Sequence, residues 1–156
     1  MAGEVVGLPD LKRQLEALPR VMRRRVLRNA LAAGARLVRD EARRRAPVLS
    51  PENSRRAPYR QPGTVRKAIS VRTSKDARRE GNVGVFVNVR PARKGAAGAR
   101  NPQDPFYWRF LEFGTKKMAA RPFLQPATAQ LRQALTVFET EVVRWINKVN
   151  ARGNVS

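Results

Sequence analysis

The chain has 156 residues, 33 Lys and Arg against 12 Asp and Glu, and a formal net charge of +21 at pH 7. That length suits one domain, 1–156, and a 42% share of hydrophobic residues lets it bury a core. Cysteine and histidine are both absent, which excludes disulfides and thiolate metal sites and removes the commonest general base and metal ligand. A charge this large attracts nucleic acid, anionic surfaces or acidic proteins. Arginine outnumbers lysine 26 to 7, a bias that GC-rich coding also produces, so part of the charge needs no partner.

Residues 1–18 read as an N-terminal arm or short helix. Within DLKRQLEAL, residues 10–18, Leu11, Leu15 and Leu18 share one face and Asp10 stands where it can cap. Pro19 opens a second helix, expected from about Arg20 to Arg45. Its apolar stripe is Leu27, Leu31, Gly34 and Val38, flanked by Val26, Ala30, Ala33 and Leu37, with most arginines opposite. Pro47 ends it, leaving Arg43, Arg44 and Arg45 in the last turn, where cations suit the helix dipole. The proline-rich segment 47–64 reads as a loop. Residues 68–74, AISVRTS, and 83–89, VGVFVNV, alternate as strands do, and the link between them suggests an antiparallel hairpin.

Residues 90–105 lack an apolar pattern and are expected to form a mobile basic loop within the core domain, 20–150. The block FYWRFLEFGTKKMAARPFLQPA, residues 106–127, follows and holds six of the ten aromatic residues. Its first half reads as one or two helical turns stopped by Gly114. Glu112 among the aromatics is expected to be either solvated or paired with a buried cation. Pro122 and Pro126 bracket Phe123, which should sit in a pocket, with Pro126 near the first position of the last helix. That helix runs from about Pro126 to Asn150 on the stripe Leu131, Leu135, Phe138, Val142, Trp145 and Val149. The fold class is α+β, a small antiparallel sheet packed against two long helices.

Neither chemistry nor membrane insertion is expected. No apolar run approaches the roughly 20 residues that span a bilayer, and the N-terminus lacks the basic-then-apolar pattern of a signal peptide. The close acidic pairs, Asp40 with Glu41 and Glu139 with Glu141, lie among arginines on helices, where ion pairing accounts for them. GAAGAR at 95–100 lacks the Lys and Ser/Thr of a phosphate loop. No catalytic residue, metal ligand or cofactor is assigned, and the chain is not expected to be an enzyme.

The run Tyr107, Phe110, Leu111, Glu112, Phe113, Gly114 and Thr115, followed by Arg121, Pro122, Phe123, Leu124, Pro126 and Ala127, resembles the tailed-bacteriophage tail-completion proteins, small minor tail components encoded near the tail terminator. Ala46-Pro47-Val48 and the segment from Pro62 to Ile69 match in the same order, and the likeness covers about residues 20–140. The resemblance implies a ring-forming structural protein of the virion, in the tail or the neck and made in the host bacterial cytoplasm. It implies a homo-oligomer, a hexameric ring, that completes or terminates the tail and joins it to the head. Other connector and tail proteins would be its neighbours, and double-stranded genomic DNA would pass through the lumen. Expected at subunit contacts or in packing are Tyr107, Trp108, Phe110, Glu112, Phe113, Gly114, Thr115, Pro122, Phe123 and Pro126. Expected to meet DNA or an acidic partner are Arg43, Arg44, Arg45, Arg55, Arg56, Arg90, Arg93, Lys94 and Arg100, in the stretch 43–100, whose two long loops an antiparallel hairpin brings to one side. The competing expectation is a free, sequence-nonspecific nucleic-acid-binding protein.

Overall fold

A computed structural model describes residues 7–56, 61–93 and 96–153. The first helix, α1 (Leu8–Ala17), starts two residues before the expected cap. Pro9 suits a first turn, where its missing N–H costs nothing. Asp10 therefore lies inside the helix, where its carboxylate accepts from Arg13 and, at 2.9 Å, from Gln14 Nε2. The long helix α2 (Arg20–Arg45) has the expected limits, and Ala46 N–H closes it on the Ala42 carbonyl. The segment expected as a loop holds one short helix, α3 (Pro51–Arg56), and a second, α4 (Thr64–Ala68), begins at its last residue; residues 57–60 lie outside the described residues. In α3 the proline takes the first helical position and Ser50 Oγ accepts from Asn53 N–H at 3.3 Å, so the residues that suggested a loop start a helix instead.

Strand β1 (Ile69–Thr73) continues from α4 and pairs antiparallel with β2 (Val85–Val89), in register from Ile69 opposite Val89 to Thr73 opposite Val85. The expected hairpin is present, with a helical turn, α5 (Lys75–Arg79), in its link. Helix α6 (Trp108–Phe113) carries the aromatic run. A nearly unbroken helical path then leads through α7 (Leu124–Ala127) and a 3-10 turn (Thr128–Gln130) into the last long helix, α8 (Leu131–Gly153).

Helix α2 is the spine of two core clusters. Its first half packs Val26 and Ala30 against Leu11 and Leu18 of the N-terminal segment and Val142 and Ile146 of α8. Its second half packs Ala42, with Ala46, against Val65, Ile69, Val89, Phe123 and Ala127. Between the clusters the two long helices cross at Gly34, where a Cβ would stand 2.5 Å from the Ala134 carbonyl oxygen. This crossing moves the buried seam off the expected stripe. The buried line is Val26, Ala30, Gly34 and Ala42, while Leu27, Leu31 and Val38 fall to its flanks, half-buried. Small residues let two backbones approach closely, and bulky neighbours are pushed aside.

Candidate assembly surface

Glu112 has neither of the roles its surroundings suggested. Its carboxylate is buried, 6% exposed, and accepts three backbone N–H groups: Phe123 at 2.8 Å and Leu124 at 3.0 Å on Oε2, and Gln125 at 2.9 Å on Oε1. These are the donors that a helix start leaves without intrahelical partners. The next residue, Pro126, has no N–H to satisfy. The helix therefore starts at Leu124, before the position expected for Pro126, because a distant carboxylate caps it. A negative charge at this end also suits the helix dipole.

The segment between the two halves of the motif folds back tightly. Gly114 has φ 74°, and a Cβ there would meet Ala120 N at 2.8 Å and Met118 O at 2.9 Å, so only glycine fits. Thr115 N–H donates to Met118 O at 2.8 Å, Thr115 Oγ1 accepts from Lys117 N–H at 3.2 Å, and Arg121 N–H donates to Leu111 O at 2.7 Å. Phe123 is fully buried, as expected. Tyr107 and Trp108 are half-buried against the same core cluster, and Pro122 is exposed. Phe110 and Phe113 are not part of the core, contrary to their helical spacing; they are 50% and 74% exposed. A helix of only six residues turns one face inward, and Leu111 and Glu112 occupy it.

A second apolar surface lies between α2, β2 and the start of α8. It is a groove of about 640 Å³ lined by residues that include Leu31, Val38, Phe86, Leu131, Leu135 and Phe138. Leu131 and Leu135, the first two members of the expected stripe, are 57% and 56% exposed, because the two-stranded sheet and α2 do not reach over them.

The hairpin register gathers the two basic loops at one end, as expected. Arg90 N–H donates to Ala68 O at 2.8 Å, and Thr64 Oγ1 approaches Pro102 O at 3.5 Å. The arginines assigned there differ in availability. Arg43 donates to the Ile69 carbonyl through Nε at 3.1 Å and Nη2 at 2.7 Å, locking α2 to β1. Arg44 and Arg45 both bind Glu41, and their hydrogen bonds hold its carboxyl below the usual carboxylate range. Arg55, Arg90, Arg93 and Arg100 are exposed, Arg56 ends α3, and Lys94 lies outside the described residues.

Asp104 carries a role the sequence did not suggest. It is 2% exposed and accepts from Ala92 N–H at 3.1 Å and from Gly98 N–H, tying the exit of β2 to the turn ahead of α6. Its only signal was an acid directly before a proline in NPQDP. Among the described residues, no helix is long and apolar enough to cross a membrane.

Residues 10–114 match the family model described as "Bacteriophage HK97-gp10, putative tail-component". The match runs from α1 through the hairpin and α6 to the Gly114 stop, and so spans well over half of the 156 residues. No curated protein and no solved structure matches the chain.

Proposed function

The chain belongs to the HK97-gp10-like family of bacteriophage tail components, and from that premise we propose that it is the subunit of a ring at the head-proximal end of the tail. The ring, of six copies, completes or terminates the tail and joins it to the head. It contacts other tail and connector proteins, and genomic DNA passes through its lumen. Its role is structural, without catalysis.

One observation carries the reading. Among the described residues, two exposed apolar surfaces have no residue in common: the groove beside Leu131 and Leu135, and the projecting Phe110 and Phe113 of α6. Exposed apolar patches on a soluble chain mark contact sites. A contact between two different patches is heterologous, and repeated around an axis it closes into a ring when its rotation divides the full turn. Seating a phenylalanine in the groove is worth about 1.5–3 kcal/mol, enough to select a register between copies.

The test is the mass of the purified chain in solution without DNA, by sedimentation equilibrium or native mass spectrometry. A closed ring appears as a fixed multiple of 17.6 kDa. A monomer at all concentrations that binds DNA with a steep salt dependence would favour the free nucleic-acid-binding protein instead.

A further inference from the structure

Positive charge also concentrates at the opposite end of the hairpin from the two basic loops. The link there is short and internally tied. Ser74 Oγ accepts from Ala77 N–H at 3.1 Å and caps α5. Asn82 N–H donates to Ala77 O at 2.7 Å, and Ser74 N–H to Gly84 O at 2.8 Å. This tied link lies against the first half of α2, where Arg24 Nη2 approaches the Arg78 carbonyl oxygen at 3.4 Å. Between them is a hollow of about 460 Å³ whose polar lining is Arg24, Arg25, Arg28, Arg78, Thr73 and Asn82. No carboxylate lines it. Among the described residues, none of the four arginines is in an ion pair; Asp76, on the same link, pairs with Arg79 at 3.5 Å. The cluster at the far end of α2 is different, since Glu41 and the Ile69 carbonyl already engage Arg43, Arg44 and Arg45.

Four like charges drawn from two separate elements around one hollow repel one another in the free chain, and an anionic partner relieves that repulsion. We propose that this cradle grips the sugar–phosphate backbone of duplex DNA. Arginine forks bind phosphate oxygens in pairs, and Asn and Thr side chains are common neutral donors to phosphate. Arg24 and Arg28 stand one turn apart, a rise of about 6 Å along the helix. That rise is comparable to the through-space separation of adjacent phosphates on one DNA strand, whose path winds around the axis as it rises. An acidic protein is the weaker candidate, because protein contacts are anchored by buried aromatic or aliphatic side chains and no aromatic residue lines the hollow. Backbone binding needs charge and reach alone. The grip rests on the cradle and not on the ring; within a ring of the kind proposed above, it identifies the face turned to the lumen.

The experiment measures binding of the full chain to a duplex oligonucleotide across a salt series. Two double reversals are compared, Arg25→Glu with Arg28→Glu and Arg90→Glu with Arg93→Glu. All four residues are exposed and both variants change the net charge equally. The cradle variant is expected to bind about tenfold more weakly than the other at equal salt, and its salt slope should be shallower than wild type by about 2. Equal losses in the two variants would mean that net charge alone drives binding, and would overturn the proposal. So would polyglutamate displacing the duplex as well as unlabelled DNA does at equal charge. If the double reversal does not fold, Arg28→Gln alone should make the slope shallower by about 1, and an unchanged slope counts against the cradle. A chain that stays monomeric yet binds through these arginines would refute the ring and leave the grip standing.

Discussion

At the scale of single residues, Glu112 and Phe123 hold the two halves of the aromatic motif together. Glu112→Ala removes the acceptor for three backbone donors, one of them fully buried, and each buried donor left unsatisfied costs about 1–3 kcal/mol. Chemical denaturation should show a loss above about 3 kcal/mol. Glu112→Gln keeps one carbonyl acceptor but turns an amide donor toward the helix start, so it should fall between the two. Equal stability of Glu112→Ala and wild type would mean that water caps the helix. Phe123→Ala should cost about 3–5 kcal/mol, as phenylalanine truncation in a core does. Phe113→Ala, at a site 74% exposed, should stay within about 0.5 kcal/mol of wild type. A large loss at Phe113 in the isolated subunit would show that its side chain is packed after all. The pocket for Phe123 was legible from its bracketing prolines. The role of Glu112 was not, because its partners are backbone N–H groups 11 to 13 positions later, and no side chain marks them.

At the scale of elements, both long helices and the hairpin follow from periodicity, since periods of 3.6 and 2 survive in the sequence whatever the packing. Periodicity does not say how closely two helices approach. The Gly34 crossing decides that, and it shifts the seam from Leu27 and Leu31 to Val26 and Ala30 and leaves Leu131 and Leu135 at the mouth of the groove. Residues 90–105 show the same limit. Their composition argues for mobility in the free subunit, but among the described residues turns tie part of the loop: Asn101 N–H donates to Gly98 O at 3.0 Å and Asp104 N–H to Asn101 O at 3.0 Å. The buried Asp104 carboxylate adds two further ties, to the amides of Ala92 and Gly98. In hydrogen exchange these two should be protected while Ala97 and Arg100 exchange freely, and Asp104→Ala should abolish the protection. Fast exchange at Ala92 and Gly98 in the wild-type chain would show that the buried carboxylate does not hold the loop.

At the scale of the whole molecule, charge and apolar surface make different demands. Duplex DNA carries one charge per roughly 1.7 Å of axis, so a ring about 35 Å tall would meet only about 20 phosphates. Six copies at +21 each far exceed that number, so most of the positive charge must face solvent, counter-ions or acidic neighbours. Copies this basic repel one another, and the apolar contacts must overcome the repulsion for a ring to close. Self-association should therefore strengthen as salt rises, because screening shortens the reach of the repulsion to about 8 Å at physiological ionic strength. The contact itself can be dissected by mixing. Phe113→Ser damages the projecting surface and leaves the groove intact, whereas Leu135→Ser damages the groove and leaves the projection intact. Each variant alone should fail to assemble. Mixed in equal amounts, they retain one good groove and one good projection per pair, so sedimentation should show heterodimers and no ring. If the contact were instead groove against groove, Phe113→Ser would assemble like wild type and Leu135→Ser would not, and the heterologous ring would have to be abandoned.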